Sequence, residues 1–233
     1  MVTRSAPWSA IAGSAAVAAA PLAFRLGLAS LGVALLLLAA GFLVLAISAI
    51  VLAVRMARGA GLADRTAAVA LAVALLVGFV PARALLAGVA APPIHDITTD
   101  TENPPRFVAA VALNAPGRTD YGGAALAEQQ RAAYPDLQPV MLSDAPADAF
   151  DRVLAAVERM GWVLLARDPD SLRIEATART FWFGFEDDIV IRIAEAGEAD
   201  SRVDVRSLSR VGVGDLGANA SRVRAFVAAL TEQ

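Results

Sequence analysis

Cysteine is absent from the 233 residues, and histidine occurs once, at position 95. Without cysteine there is no disulfide framework, no thiol nucleophile and no thiolate-bound metal. A zinc site takes three or four ligands from His, Cys and carboxylates, so His95 alone leaves it short of donors. Any Ser-His-Asp triad would have to run through His95, and no nucleophile-elbow motif accompanies it. Lysine is also missing, because all 20 basic residues are arginine. In an alanine-rich chain this reads as a habit of composition. Acidic residues are nearly missing from the first 91 positions, where Asp64 stands against Arg4, Arg25, Arg55, Arg58, Arg65 and Arg83. The remainder reverses this, so an N-terminal part of net charge +5 precedes a C-terminal part of −8, which together give the −3 of the whole. An acidic C-terminal part lacks the basic face that binds a phosphate backbone, which excludes nucleic acid as the expected partner.

Apolar residues are plentiful. The chain is 57% hydrophobic and 18% charged, against about 45–50% and about 25% in an ordinary soluble domain. Leu31 to Val54 is an unbroken apolar run, and about 20 such residues cross a bilayer as a helix. Thr66 to Val89 gives a second span, with Pro81 tolerated inside it and Arg83 snorkelling near its end. Ser9 to Phe24 reads as a third span, or as the apolar stretch of a signal peptide. Three spans are therefore expected, over about 9–28, 31–54 and 66–89, within a transmembrane region covering 1–91. Arg55, Arg58 and Arg65 lie in the loop between the two stronger spans. Positive loops stay cytoplasmic, which places everything after Ala91 on the far side of the membrane.

Pro92 to Pro105, PPIHDITTDTENPP, marks the change of composition. Paired prolines at both ends favour an extended strap, and residues 92–142 read as a linker with irregular structure. Pro116-Gly117 and Gly122-Gly123 are turn punctuation, and Ala124 to Ala133 is compatible with helix. Residues 143–233 read as an α+β domain. Ser143 or Asp144 is placed to cap a helix with Pro146 in its first turn. Phe150, Val153, Leu154 and Val157 make its apolar face, and Gly161 ends it. Strands are expected over 162–167, 172–179, 188–194 and 202–210, most of them alternating apolar and polar residues. A closing helix over 217–230 completes a four-stranded antiparallel sheet with two helices on one face and water on the other.

Four features bear on function. The cluster His95, Asp96, Thr99, Asp100 and Glu102 offers a general base or oxygen ligands for calcium, but its spacing fits no calcium loop. It reads more simply as side chains that hydrogen-bond their own backbone and shape the strap. Arg173, Arg179, Arg192, Arg202 and Arg206, alternating with Glu175, Asp188 and Asp204, would share the wet face. They read as a docking surface for an anionic headgroup or acidic partner, or as cross-strand charge pairs. Phe181, Trp182, Phe183 and Phe185 crowd one strand connection, and either plug the core or enter a membrane interface or partner groove. Gly212-Val-Gly-Asp-Leu-Gly217 matches a dinucleotide fingerprint literally. No room remains after the next helix for the parallel strand that fold requires, so the glycines are a loop and a cap.

PPIHDITTDTENPP, Tyr134-Pro-Asp, Arg173-Ile-Glu-Ala-Thr-Ala-Arg, Trp182-Phe-Gly-Phe-Glu-Asp-Asp, Arg202-Val-Asp-Val-Arg-Ser and Asp215-Leu-Gly-Ala-Asn-Ala together resemble the DUF1499 family, over roughly Pro92 to Leu230. The resemblance implies a membrane-anchored proteobacterial protein and no established activity, so it assigns no catalytic residue. The expectation is a multi-pass inner-membrane protein whose periplasmic domain binds a partner protein or lipid, without cofactor, metal or nucleotide. Two other readings stay open: a hydrolase or metal-dependent enzyme using His95, Asp96 and Asp100, and a carrier of a small ligand or lipid. A reporter active only outside the cytoplasm, fused after Gln233, should be active. Activity of a cytoplasmic reporter at the same point, with the first silent, would reverse the topology.

Overall fold

The computed structural model describes residues 2–55, 57–58, 68–69, 72–73, 75–79, 86, 88, 91–197 and 199–231. The expected span over 66–89, with Pro81 and Arg83, lies largely outside the described residues, as does Arg65. Two compact units emerge, Met1–Leu86 with Phe181–Gly184, and Ala87–Thr180 with Phe185–Gln233.

The first unit is built on two long helices, α1 (Val2–Arg25) and α2 (Leu31–Arg55). Among the described residues α2 alone is long and apolar enough to cross a membrane, so of the three expected spans α1 falls short of that measure, and the one over 66–89 lies largely outside the described residues. The α1 segment is helical as expected, but Ser9, Gly13 and Ser14 dilute its apolar content. Small residues let the two backbones approach closely. A Cβ on Gly41 would lie 2.9 Å from Val17 Cγ2 and 3.0 Å from Val17 N, and one on Gly13 would lie 3.1 Å from Gly41 O. Ser9 and Ser48 share a hydrogen bond of 2.7 Å across the pair. Close small-residue contact with hydroxyl bonding is how helices associate where apolar burial offers no driving force. Outward, Leu35, Leu36, Leu43, Ile47 and Ile50 are exposed.

The second unit is α+β. Its strands are β1 (Asp96–Thr98), β2 (Val140–Leu142), β3 (Val163–Asp168), β4 (Arg173–Arg179), β5 (Glu186–Glu195) and β6 (Ser201–Ser209). Its helices are α3 (Gly123–Ala133), α4 (Pro146–Arg159) and α5 (Ala218–Thr231), with a 3-10 turn at Ala109–Leu113. The sheet runs β1-β6-β5-β4-β3, entirely antiparallel, and β2 also pairs with β6. Six strands replace the expected four. The two extra strands are three residues each and sit in proline-bracketed stretches, too short to display a period of two. They share the outer edge of β6, with Asp96 opposite Leu208 and Val140 opposite Val203. Residues 92–142, read from sequence as a linker, thus supply two strands and cover an edge that would otherwise be exposed.

Both long helices of this unit lie on one sheet face, as expected. Phe150, Val153, Ala156 and Val157 of α4, with Val223, Phe226 and Leu230 of α5, pack on Ile174, Ala176, Ile189, Ile191, Ile193, Val203 and Val205. The Trp162 and Phe226 rings stack at 5.5 Å. Gly161, at φ +67°, turns the chain from α4 into β3. Ala145, not Ser143 or Asp144, occupies the N-cap of α4, because the Asp144 carboxylate is drawn instead to Arg152 at 2.8 Å.

Replacing Gly41 by Ala should loosen the α1–α2 pair, at roughly 1–3 kcal/mol for overpacking against backbone. Gly32→Ala, with nothing within 4 Å of its Cβ, should be neutral or slightly stabilising. Denaturant titration of the two variants in micelles compares them.

Candidate functional site

The second sheet face is charged and yet closed. Strand alternation places Asp96, Glu175, Asp188, Arg192, Asp204 and Arg206 on the side away from α4 and α5. The expectation of a wet face is corrected here. Glu175 is 1% exposed, Asp188 0%, Asp204 1% and Arg206 2%. The strap, residues 99–121, folds across this face and seats Phe107 and Ala110 on Val190 and Leu208. Period two distinguishes the faces of a sheet but cannot say whether charges meet water or a covering segment.

Each buried acid is matched. Asp96 Oδ1 and Oδ2 accept from Arg206 Nε and Nη2, both at 2.8 Å. The same guanidinium donates to Pro105 O at 3.1 Å and Thr119 O at 2.9 Å. It lies between the rings of Phe107 and Tyr121, at 4.9 and 5.3 Å from their centroids. Glu175 accepts from the backbone N–H of Val108, Ala109 and Ala110 at 2.8–3.1 Å, which holds the start of the 3-10 turn. Asp188 accepts from Thr177, Asn114 and Arg210 at 2.7–2.9 Å. Asp100 accepts from Arg192 at 2.9 Å and Arg202 at 2.8 Å, and from the backbone N–H of Glu102 and Asn103. Gln130 of α3 bonds both main-chain groups of Thr98, as a neighbouring strand would.

The residues singled out from sequence therefore divide. Asp96, Thr99 and Asp100 are buried and bonded within the strap and sheet. His95 donates through Nδ1 to Val213 O at 3.0 Å. Glu102 is exposed. With Asp96 and Asp100 both held by guanidinium groups, the cluster presents no free carboxylate beside His95 for proton transfer. Among the described residues no three His, Cys, Asp or Glu side chains are placed to hold a metal ion. Of the arginines, Arg206 is buried, Arg173 and Arg192 are half-buried in ion pairs with Glu175 and Asp204, and Arg179 remains exposed beside Glu186. The four do not form one open surface. Trp182 packs beside the α1–α2 cluster that holds Leu45 and Leu52. The Phe183 ring lies 5.9 Å from Phe24, and Arg25 donates to Phe181 O at 2.9 Å. Phe185 is half-buried, its N–H given to the Thr180 hydroxyl.

Between strap and sheet lies a cavity of about 590 Å³, lined by Glu102, Arg106, Phe107, Asp120, Tyr121 and Arg206 among others. Tyr121 Oη is buried without a hydrogen-bond partner. Burial, with Asp96 adding to it, pushes the Tyr121 phenol up to about 12, so it remains a proton donor. Sequence reasoning passed over Tyr121, Arg106 and Asp120. Tyr121 is followed directly by Gly122-Gly123, and the stretch reads as a turn.

Arg206→Ala would leave Asp96 charged, buried and alone. Breaking a buried pair from one side costs roughly 3–5 kcal/mol, whereas Arg179→Ala, at an exposed pair, should cost under about 1 kcal/mol. Chemical denaturation of the two variants separates a keystone from a surface pair.

Among curated proteins none matches the chain. The model of the family described as "Protein of unknown function (DUF1499)" matches residues 96–230, from the first strand to the end of the last helix. The matched stretch takes in the strap, the charged sheet face and the cavity between them, and the chain belongs to the DUF1499 family.

Proposed function

We propose that the chain is a membrane-anchored, non-catalytic binding module of the bacterial inner membrane, with its α+β unit on the periplasmic side and one end of that unit seated on lipid. The arginines at 55, 58 and 65 support this orientation by the positive-inside rule. A membrane-spanning 66–89 would bring the chain out within a few residues of Ala91.

The observation that carries the reading is the apolar end of the α+β unit. Val211, Val213 and Leu216 are 52%, 78% and 57% exposed. They flank the point where the chain enters the fold, since Asp215 N–H donates to Ile94 O and Ser209 N–H to His95 O. The loop is held firmly. Arg118 donates to Ser209 O and Gly212 O, and the Asp215 carboxylate accepts from the N–H of Gly217 and Asn219 at the start of α5. Fixed, exposed aliphatic side chains at a chain entry suit insertion among lipid headgroups. The same loop carries the fingerprint-like glycines, and its helix N-terminus is filled by Asp215 rather than offered to a phosphate.

Because the chain has no cysteine, single-cysteine labels report cleanly. In nanodiscs, an environment-sensitive dye at Val213→Cys should be quenched by doxyl-labelled lipid. The same dye at Asp170→Cys, in the turn at the other end of the sheet, should not. Equal quenching, or none at position 213, would remove the membrane-seated end.

A further inference from the structure

One rung of the sheet breaks the rule of alternating charge. Asp168 of β3 stands opposite Arg173 of β4, Arg173 opposite Arg192 of β5, and Arg192 opposite Asp204 of β6. Read across four strands, the order is acid, base, base, acid. Like charges directly opposite each other destabilise a sheet, so the central pair needs a reason. The outer acids draw the two guanidinium groups apart. Arg173 reaches Asp168 at 3.0 Å and Glu175 at 3.4 Å on one side. Arg192 reaches Asp204 at 2.7 Å and Asp100 at 2.9 Å on the other. Between them lies a cavity of about 230 Å³, floored by Val190 and roofed by the strap at Asn103 to Arg106, with Ser171 at its edge. Three arginines line it, Arg106, Arg173 and Arg192, and no carboxylate does.

We infer that this cavity binds a phosphate-type oxyanion. The central arginines are half-buried, with side chains 26% and 27% exposed, so they are fixed by their ion pairs and still open to a ligand. Arg192 spends only Nη2 on its two acids, and Arg173 spends Nη2 and Nε. Their remaining N–H groups have no protein acceptor among the described residues. Arg106 alone would be an ordinary surface charge, but over this rung it adds a third guanidinium from the strap side. Three forks from different directions suit a tetrahedral phosphate better than a planar carboxylate, which one fork already satisfies. Over the whole rung the charges come close to cancelling. The preference is local, because donors line the cavity while the acids stand behind guanidinium groups. The cavity is smaller than the roughly 300–1,000 Å³ of ordinary small-molecule sites, so it takes the ionic group and leaves the rest of a ligand outside. The rung lies beside the turn at Asp170, away from Val213, and the inference does not rest on the membrane-seated end. A free phosphate compound and a phosphodiester headgroup share this chemistry.

Isothermal titration of the full-length chain in an uncharged detergent, at constant ionic strength, tests this with inorganic phosphate and glycerophosphoglycerol, and with acetate as control. At least one phosphate probe should bind with a Kd of about 1 mM or tighter, and acetate about tenfold more weakly or worse. Arg106→Gln should weaken binding about tenfold. Asn103→Asp, which sets a carboxylate on the strap where the anion would sit, should abolish it. Arg167→Gln, at an exposed arginine opposite the core residue Ile174 on the other sheet face, should bind like the parent. Asn103, Arg106 and Arg167 are all exposed and make no ion pair among the described residues, so the melting temperature should not move in any variant. Binding of inorganic phosphate alone assigns the site to a free phosphate compound, and binding of glycerophosphoglycerol alone to a headgroup. The inference is overturned if acetate binds as tightly as both phosphate probes, if binding survives Asn103→Asp, or if Arg106→Gln binds as well as Arg167→Gln.

Discussion

Asp96 and Arg206 face each other in a place that water does not reach, and much of the α+β unit follows from making that tolerable. Removing two charges from water costs several kcal/mol per ion, and the pair repays this only with good geometry and with its remaining donors satisfied. The bidentate contact at 2.8 Å supplies the first condition. The carbonyls of Pro105 and Thr119 supply the second, and both belong to the strap. The strap is therefore not an accessory to a finished sheet. Without it Arg206 loses two acceptors and both aromatic rings, and Glu175 loses the three N–H groups that hold its charge.

The same logic fixes where the unit is rigid. Asp100 gathers two guanidinium groups from β5 and β6 while bonding the N–H of Glu102 and Asn103, so one carboxylate ties strap to sheet. At the other end of β6, Arg118 ties the end of the strap to the loop that follows. Strap and loop are held at both ends of one strand. These ties hold the strap over the cavity that it lines together with Arg206. Its walls are anchored by buried hydrogen bonds, and the side chains at its rim are left unpaired.

Much of this was legible in the residues, and the part that was not has a definite cause. The four long strands, the helices over 146–159 and 218–231, and their common face follow from periods of 2 and 3.6, and each was found within a few residues of its place. The strands at 96–98 and 140–142 carry no period to read. The closed charged face was misread because Arg-Ile-Glu-Ala-Thr and Arg-Val-Asp-Val-Arg alternate identically whether their polar side meets water or a strap. One signal was present. Acids and arginines share that face on neighbouring strands, and the polar segment PPIHDITTDTENPP is rich in backbone-bonding side chains, as a cover over charges would need. Tyr121 gave no signal, because an unsatisfied hydroxyl is a property of packing and not of sequence.

The exclusive use of arginine, which reads from composition as a habit, has a structural consequence. A guanidinium offers five donors in a plane. Arg206 uses that plane to engage one carboxylate through two nitrogens, reach two carbonyls and lie between two rings. An ammonium has three donors at a single point and is held more tightly by water, so it cannot make the two-pronged contact or stack in the same way. Asp100 and Asp204, each shared between Arg192 and Arg202, also rely on the fork. Arg192 reaches both acids from one nitrogen, and Arg202 reaches them from two. A face built on such shared contacts accepts lysine poorly at any of these positions. Whatever first filled the chain with arginine, the folded unit now depends on its geometry.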